Sequence, residues 1–275
     1  MQEIDVCAWE ELEHHVSELR DLHKTAILGL LFRGQGNSTW PLQTTLERRS
    51  GPKFSVQQYY FLIHRIKDQI GTFTNTQWEE LDIDEIIELT AQYDPFRRAI
   101  GNGKLPAYKH LVYLRHHGFP SPLLDWTSSL YVAAYFAFAN RSRDVEKVSI
   151  FVYCDEPRNV KLWGHDEPLI VRLGPYVQTH KRHFLQKSEY TICILFEQKD
   201  LWSFVSHNEI FQSDTLSKDH PNQDVLWKFN IPAGEQVKVL RRLEDYNLNA
   251  YSLFGSEESL METLAIRELL LRSKR

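Results

Sequence analysis

The chain has 275 residues, of which 42% are apolar and 25% are charged, and its formal net charge is −5. This composition is typical of a globular protein that buries a core of its own, and it excludes a long disordered or fibrous chain. The slight acidic excess also excludes a global electrostatic attraction to nucleic acid or to an anionic membrane.

Helical patterns dominate the first half of the chain. The exception is an apolar run over residues 27–33, which is followed by turn residues and predicts a buried strand that ends at Arg33. Helices are predicted over residues 8–20, 54–70, 79–93 and 107–118, and Gly118 is expected to cap the last of them in the left-handed conformation.

Strands dominate the second half of the chain. The helix predicted from Leu130 to Asn140 is apolar on every side, which places it in the middle of the protein. Short β-branched and aromatic runs then predict strands over residues 148–154, 168–173, 190–196 and 225–231. Two further helical patterns close the chain, over residues 233–247 and 256–275.

One α+β domain accounts for this order of elements. Because the strand over residues 27–33 has to join the later strands, we expect a mixed sheet of about five strands packed with helices, one of them central and buried. The domain is expected to span residues 1–275. Its chemically important motifs fall within about residues 25–195, and residues 196–275 are expected to add a strand and helices to the same domain.

Three observations predict a cytoplasmic protein. The first residues carry acidic side chains without an apolar run, which argues against a secretory signal. No later apolar run is long enough to span a bilayer, so no membrane contact is expected. The cysteines Cys7, Cys154 and Cys193 form no paired motif, which favours a reducing compartment and predicts three small buried side chains.

Arg33 is the first candidate for a functional role, because it opens the turn sequence RGQGNS. A permanent cation beside glycines, whose amides a ligand can approach closely, suits a phosphate or a carboxylate. Gly34 and Gln35 belong to the same candidate site, and Gln35 adds a hydrogen-bonding group. The alternative is that Arg33 pairs with a carboxylate at the edge of the core.

A second polar cluster, formed by Asp125, Trp126 and Thr127, precedes the predicted central helix. A helix N-terminus has unpaired N–H groups and a positive dipole end, so this corner can bind an anion, with Trp126 as a wall. The alternative is a plain helix cap with Trp126 as a core residue. His116 and His117 lie a short proline-containing loop away, and we assign ligand binding or proton transfer to His116 and helix capping to His117.

Other kinds of site are not indicated by the sequence. His180 and His183 lack an acidic residue at metal-ligand spacing, and no His-Glu-x-x-His string occurs. Neither a Gly-x-Ser-x-Gly motif, a Walker loop nor a Gly-x-Gly-x-x-Gly motif is present. We therefore expect no metal and no permanently bound cofactor.

Taken together, these residues resemble the FRG domain family, named for a Phe-Arg-Gly string that stands here as Phe32, Arg33 and Gly34. A second family segment, Gln-His-x-Gly-x-Pro-Thr-Arg-Leu-Leu-Asp-Trp-Thr before an alanine-rich helix, is similar to residues 115–127 and the helix that follows. The resemblance covers about residues 25–195. A third family element, an arginine and a glutamine before Gly-x-Phe, is similar to Arg182, Gln186, Ser188 and Tyr190.

The chain departs from the family pattern at several positions. Arg115 replaces the first glutamine, Ser121 and Pro122 replace Thr-Arg, and Ser188 replaces a glycine. Because the family's arginine is lost at Pro122, the resemblance leaves Arg33 and Arg182 as the anion-binding residues.

A fold-level analogy suggests what such a site acts on. In ADP-ribosyltransferases an arginine or histidine ends the first strand, a Ser/Thr segment follows, and a late glutamate orients the ribose. This chain has Arg33, then residues 127–129, and later Glu257 and Glu258, which also suit the first turn of a helix for dipole reasons alone.

The first hypothesis is therefore an intracellular enzyme that consumes NAD. It would transfer ADP-ribose to a macromolecular acceptor or cleave the N-glycosidic bond, as a toxin or antiviral effector would. Its catalytic residues would be His116, Asp125 and Glu258, and its ligand-binding residues would be Arg33, Gly34, Gln35, Trp126, Thr127, Arg182 and Gln186. The second hypothesis is a non-catalytic module that senses a nucleotide or binds a partner. The third is a structural network in which Arg33, Asp125 and His116 hold the sheet to the central helix.

Overall fold

The computed structural model describes residues 1–74, 82–157, 161–197, 201–212 and 223–272. Within these residues, nine strands form one sheet. The strands are β1 (Gln2–Asp5), β2 (Leu30–Gln35), β3 (Lys53–Ser55), β4 (Leu124–Thr127), β5 (Lys147–Asp155), β6 (Leu169–Arg172), β7 (Ser188–Glu197), β8 (Leu201–Val205) and β9 (Asp224–Pro232).

Twelve α-helices pack with this sheet in the described part of the chain. They are α1 (Trp9–Leu22), α2 (Glu47–Ser50), α3 (Val56–Thr74), α4 (Ile83–Thr90), α5 (Tyr93–Gly101), α6 (Tyr108–His116), α7 (Leu130–Ala139), α8 (Lys181–Leu185), α9 (His207–Gln212), α10 (Gln236–Asp245), α11 (Ala250–Phe254) and α12 (Glu257–Ala265). A 3₁₀ turn, Ala233–Glu235, precedes α10, and a π-helical segment, Ile266–Leu271, follows α12. None of the described helices is both long and apolar enough to cross a bilayer.

The sheet is mixed, with the strand order β1-β9-β5-β2-β4-β7-β8-β3. The β1–β9 pair is parallel and the other pairs are antiparallel. Strand β6 lies on the opposite edge of β7 from β4 and β8, because Thr191 pairs with both Leu124 and Arg172. The α+β class is therefore confirmed.

The predicted number of about five strands is too low, because β1, β3, β4 and β8 were not predicted. Three of them have only three or four residues, which is too short for an alternating pattern to be recognised. Strand β4 in particular follows two prolines and directly precedes a helix, so its local sequence resembles a loop. Its four residues become a strand because they pair with residues 188–191 of β7.

Helix α7 is the central buried helix that the sequence predicts. Seven of its residues are buried, and they lie in the largest hydrophobic cluster together with residues of α1, α10 and β5. The helix approaches β2 so closely that a Cβ atom on Gly34 would lie 2.7 Å from the Ala137 backbone nitrogen and closer still to the Ala133 carbonyl oxygen. Glycine at position 34 is therefore required by this contact between two backbones.

Most predicted helices and strands lie where the sequence places them, with two exceptions in the first half. The strand predicted over residues 27–33 begins at Leu30, and Ile27 is 82% exposed. It also continues past Arg33 to Gln35, because its backbone stays paired with β5 up to Ser149. Arg33 is thus an interior residue of the strand, and the prediction that the strand ends there is wrong.

The helix predicted over residues 79–93 is divided in two. Residues 79–81 lie outside the described residues, and α4 begins after Asp82, whose side chain accepts hydrogen bonds from the backbone nitrogens of Asp84 and Glu85. A second helix, α5, follows after a short break. The prediction of three buried cysteines also fails at Cys7, which is exposed, whereas Cys154 and Cys193 are buried.

Candidate functional site

A cavity of about 580 Å³ lies where strands β2, β4 and β7 face helix α7. One wall is formed by Ala133 and Phe136 of α7 and by Asn140, which caps that helix, together with residues of α8 and α11. The loop after β2, α2 and the end of α6 contribute further lining residues. A volume of this size is within the range of cavities that hold small-molecule ligands.

Asp125 lies at the centre of this cavity between two arginines. Its Oδ1 atom is 2.8 Å from Nη1 of Arg33 and 2.5 Å from Nη2 of Arg115. Nη1 of Arg33 also donates to the Asp125 backbone oxygen at 2.7 Å. This contact is available because β2 and β4 pair only at Phe32 and Thr127, and beyond that pair the Arg33 side chain binds the β4 backbone.

The ion pairs keep Asp125 ionised. Burial raises the pKa of its carboxyl group, but the charges and hydrogen bonds of Arg115 and Arg33 outweigh burial and hold that pKa well below its usual range. The same attraction raises the pKa of Arg115 against the effect of burial. The side chain of Asp125 is 42% exposed, because it borders the cavity, and both arginines contact Oδ1 rather than Oδ2. Oδ2 therefore remains available to a hydroxyl group of a ligand.

Two further arginines line the cavity without an ion pair to any described carboxylate. Arg48, on α2, contacts the Thr44 backbone oxygen at 3.5 Å, and burial together with the like charges of Arg33 and Arg115 lowers its pKa. Arg182, on α8, lies over the ring of Phe254 at 5.4 Å. The cavity is therefore lined by four arginines against one carboxylate.

Unpartnered donors reinforce the positive character of the cavity. The Nε–H groups of Arg33, Arg115 and Arg182 are buried and have no hydrogen-bond partner among the described residues. An unpartnered buried donor on a charged side chain is unfavourable, so each of these groups is expected to bind an acceptor that the protein itself does not provide. An anionic ligand would provide such acceptors.

His116 is bound to Tyr190 at the edge of the cavity. Nε2 of His116 is 2.9 Å from the Tyr190 hydroxyl, which lies 3.4 Å from Nδ1 of His183, while Nε2 of His183 is 3.0 Å from the Pro175 backbone oxygen. Because a carbonyl oxygen only accepts, neutral His183 carries its proton on Nε2. Tyr190 then donates to His183, and Nε2 of His116 donates to Tyr190. Nδ1 of His116 is left as a proton acceptor.

We predict that His116 is uncharged at neutral pH. Burial is the largest cause that lowers the pKa of His116, to about 4. In histidine NMR spectra recorded across a pH titration, one ring is expected to titrate near this value instead of near 6.5, and the signal should disappear in His116→Gln. If the signal that disappears titrates near 6.5, the prediction is wrong.

The structure brings most of the predicted site residues together. Arg33, Gly34, Gln35, His116, Asp125, Trp126, Thr127, Arg182 and Gln186 all line the cavity. Gln35 also fixes the loop that follows β2, because its Nε2 donates to the Pro41 backbone oxygen at 3.3 Å, and its Oε1 is buried without a partner. His117 stands at the C-terminal cap of α6, as predicted.

The site does not have the helix N-terminus that the sequence suggests. Asp125 and Trp126 lie within β4, and the cap of α7 is Ser129, whose side chain accepts from the Val132 nitrogen at 3.4 Å. The Thr127 hydroxyl accepts from the Ser129 nitrogen at 3.1 Å and donates to the Gln186 oxygen at 2.8 Å. The cavity thus runs along the side of α7 and leaves its N-terminus capped.

Two other residues predicted for the site, Trp126 and Glu258, have different surroundings from those that the sequence suggests. The Trp126 indole belongs to a buried cluster, where it donates to the Thr191 hydroxyl at 2.9 Å and stacks on Tyr153 at 5.3 Å. Glu258 is in the first turn of α12 and outside the cavity lining, and a hydrogen bond from Ser256 lowers its pKa. Neither side chain contributes a polar group to the cavity as described.

Sequence reasoning missed two of the four arginines. Arg115 was recognised only as a departure from the family's glutamine, yet it gives Asp125 a second cation beside Arg33. Arg48 stands in an ordinary polar segment, LERRSG, and nothing in that segment distinguishes it from Arg49. Only the folding of the loop after β2 brings Arg48 to the cavity.

Comparison with known proteins identifies one family. The family model described as the FRG domain matches residues 29–146, which include the Phe-Arg-Gly string, α6, β4 and α7. No curated protein and no solved structure gives a significant match to the chain.

Proposed function

We propose, from the match of residues 29–146 to the FRG domain family, that the arginine-lined cavity binds a phosphate-bearing nucleotide, with NAD as ligand and substrate. The observation that carries the proposal is the excess of four arginines over one carboxylate around a cavity of about 580 Å³. Arginine binds phosphate oxygens through planar, charge-assisted hydrogen bonds.

The nucleotide would be oriented by polar groups that the protein leaves free. Oδ2 of Asp125 is available to accept from a ribose hydroxyl, and the unpartnered Oε1 of Gln35 is available to accept from an amide or amino group. Phe136 and Phe254 provide an apolar surface beside these groups. A few polar groups in a partly apolar cavity are typical of sites that bind cofactor-sized molecules.

The reaction we propose is cleavage of the bond between nicotinamide and ribose. Water, or a hydroxyl of a macromolecular acceptor, attacks the anomeric carbon, the C–N bond breaks, and its electron pair leaves with neutral nicotinamide. Nδ1 of neutral His116 takes the proton of the attacking group, and ionised Asp125 stabilises the positive charge that develops on the ribose. An enzyme that consumes NAD in this way would suit a toxin or an antiviral effector.

A second candidate function is a nucleotide sensor that uses the same cavity without turnover. It is favoured by the contacts of Asp125, since two guanidinium groups neutralise the carboxylate and weaken its effect on a developing positive charge. It is also favoured by the position of Glu258 outside the cavity lining. In this case the arginines bind the phosphates in the same manner.

Arg48→Gln is expected to reduce the affinity for NAD at least about tenfold, because it removes a charged hydrogen-bond donor to phosphate. Arg48 has no ion pair to a described carboxylate and only a long contact with the Thr44 backbone oxygen, so thermal unfolding should change little. Arg49→Gln is the matched control, because it removes the same charge from the next residue of α2, outside the cavity lining. Calorimetric titration with NAD measures the affinity of both variants.

The same proteins separate the two candidate functions. Nicotinamide release by wild type, reduced in Arg48→Gln and retained in Arg49→Gln, supports the enzyme, whereas NAD binding without nicotinamide release supports the sensor. If wild type binds no NAD, or if both variants bind as wild type does, the proposed assignment of the cavity is wrong.

A further inference from the structure

The four arginines of the cavity form two separate groups. Arg33 and Arg115 share Asp125, and their charges act on Arg48, so these three arginines lie together. Arg182 has other neighbours: it lies over the Phe254 ring, and its charge acts on Glu258 and His180. We refer to Arg33, Arg48 and Arg115 as the inner group and to Arg182 as the outer arginine.

The two groups are attached at different residues of strand β4. The inner group is held at Asp125, whereas the helix that carries Arg182 is held at Thr127, whose hydroxyl donates to the Gln186 backbone oxygen at 2.8 Å. Two residues of a strand span roughly 7 Å. This is the separation of the two attachment points on β4, and a phosphate held by the inner group alone would leave the outer arginine without a partner.

Each group contains at least one buried N–H donor that has no hydrogen-bond partner among the described residues. In the inner group the Nε–H of Arg33 and of Arg115 is buried without a partner, and the Nε–H of Arg182 is in the same condition. Arg182 has a ring contact with Phe254 but no ion pair to a described carboxylate. Phe136 lies 6.0 Å from Phe254 in an edge-to-face arrangement, and both line the cavity.

We propose that the ligand carries phosphate groups at two separate positions of a ribose, and that Arg182 binds the second of them. Chemically, this is a nucleoside 3′,5′-bisphosphate or a dinucleotide with an additional 2′-phosphate, such as NADP. The first phosphate binds the inner group, the sugar lies near Asp125 and the aromatic rings, and the second phosphate reaches the outer arginine. This inference rests on the proposed function and specifies its ligand class.

The test compares pairs of nucleotides that differ only in the second phosphate. Calorimetric titrations measure the affinities for NADP against NAD and for adenosine 3′,5′-bisphosphate against adenosine 5′-monophosphate. Wild type is expected to bind the more phosphorylated member of each pair at least about tenfold more tightly, since one charge-assisted arginine contact is gained. Arg182→Gln should remove this preference.

Two further variants serve as controls for Arg182→Gln. Lys187→Gln removes an exposed positive charge close to α8 and outside the cavity lining, so it should retain the wild-type preference. Arg182→Lys keeps the charge but loses the planar donor group, so it should show a smaller preference, and it replaces Arg182→Gln if that variant does not fold.

The outcomes distinguish this inference from the proposed function. Equal affinity for both members of each pair, with NAD still bound, overturns the inference and leaves the proposed function standing. A preference that survives in Arg182→Gln also overturns it. If none of the four nucleotides binds, both the inference and the proposed function are wrong.

Discussion

Gly34→Ala is expected to lower the free energy of unfolding by about 3 kcal/mol or more, because the new methyl group has no space between β2 and α7. Its Cβ atom would lie 2.7 Å from the Ala137 nitrogen, and the atoms it meets are backbone atoms that cannot rotate away. The helix would have to move from the strand, and the cavity wall formed by Phe136 would move with it. Urea unfolding followed by circular dichroism measures the loss.

Gly234→Ala is the matched control for this prediction. A Cβ atom on Gly234 would meet no atom within 4 Å, and no left-handed backbone conformation is required there. The substitution should therefore change the free energy of unfolding by no more than about 0.5 kcal/mol. Equal stabilities of the two variants would show that α7 and β2 do not approach each other as closely as described.

Asp125→Ala is expected to lower the free energy of unfolding by about 2–3 kcal/mol. It leaves Arg33 and Arg115, whose side chains are only 12% and 19% exposed, without their shared carboxylate. We expect a smaller loss of unfolding free energy than the roughly 3–5 kcal/mol seen for fully buried ion pairs. The reason is that the 42% exposure of Asp125 lets water screen the remaining charges.

Asp94→Ala is the matched control, because Asp94 also contacts two arginines but lies on the surface. Its carboxylate is 3.4 Å from Arg97 and 3.9 Å from Arg98, and its side chain is 58% exposed. Exposed ion pairs contribute little, so the loss should stay below about 1 kcal/mol. Losses of equal size in the two variants would mean that the two arginines at Asp125 do not depend on its charge.

The contribution of Asp125 should also depend on pH. Its pKa is depressed in the folded protein, so its stabilising effect is complete above the unfolded pKa of about 3.9 and is lost as the pH falls below that value. The difference in stability between wild type and Asp125→Asn should therefore be constant from pH 5 upward and become smaller at pH 3. A difference that stays constant down to pH 3 would contradict the ion pairs described here.

The structure combines two hypotheses that the sequence leaves as alternatives. Arg33 does pair with a carboxylate, Asp125, as the structural hypothesis expects. His116 is not part of that ion pair, since it bonds to Tyr190, and Arg115 takes the second place beside Asp125. The network also borders a cavity with unpartnered donors, which a structural role alone does not explain.

The sequence by itself determined the α+β class, the central position of α7 and the grouping of Arg33, His116 and Asp125. These features follow from local patterns: a helix that is apolar on every side must be buried, and the match to the FRG domain covers the three polar residues. A pattern of this kind needs no knowledge of distant parts of the chain, so it is visible in the sequence.

Only the tertiary structure decided that Asp125 lies in a strand and that Arg48 and Arg115 belong to the site. Strand β4 exists because it pairs with β7, more than 60 residues further along the chain by the register of Thr127 with Ser188. Arg48 comes to the cavity because the preceding loop folds back onto β2 through Gln35. Such contacts depend on the packing of segments that are far apart in sequence, and no local pattern encodes them.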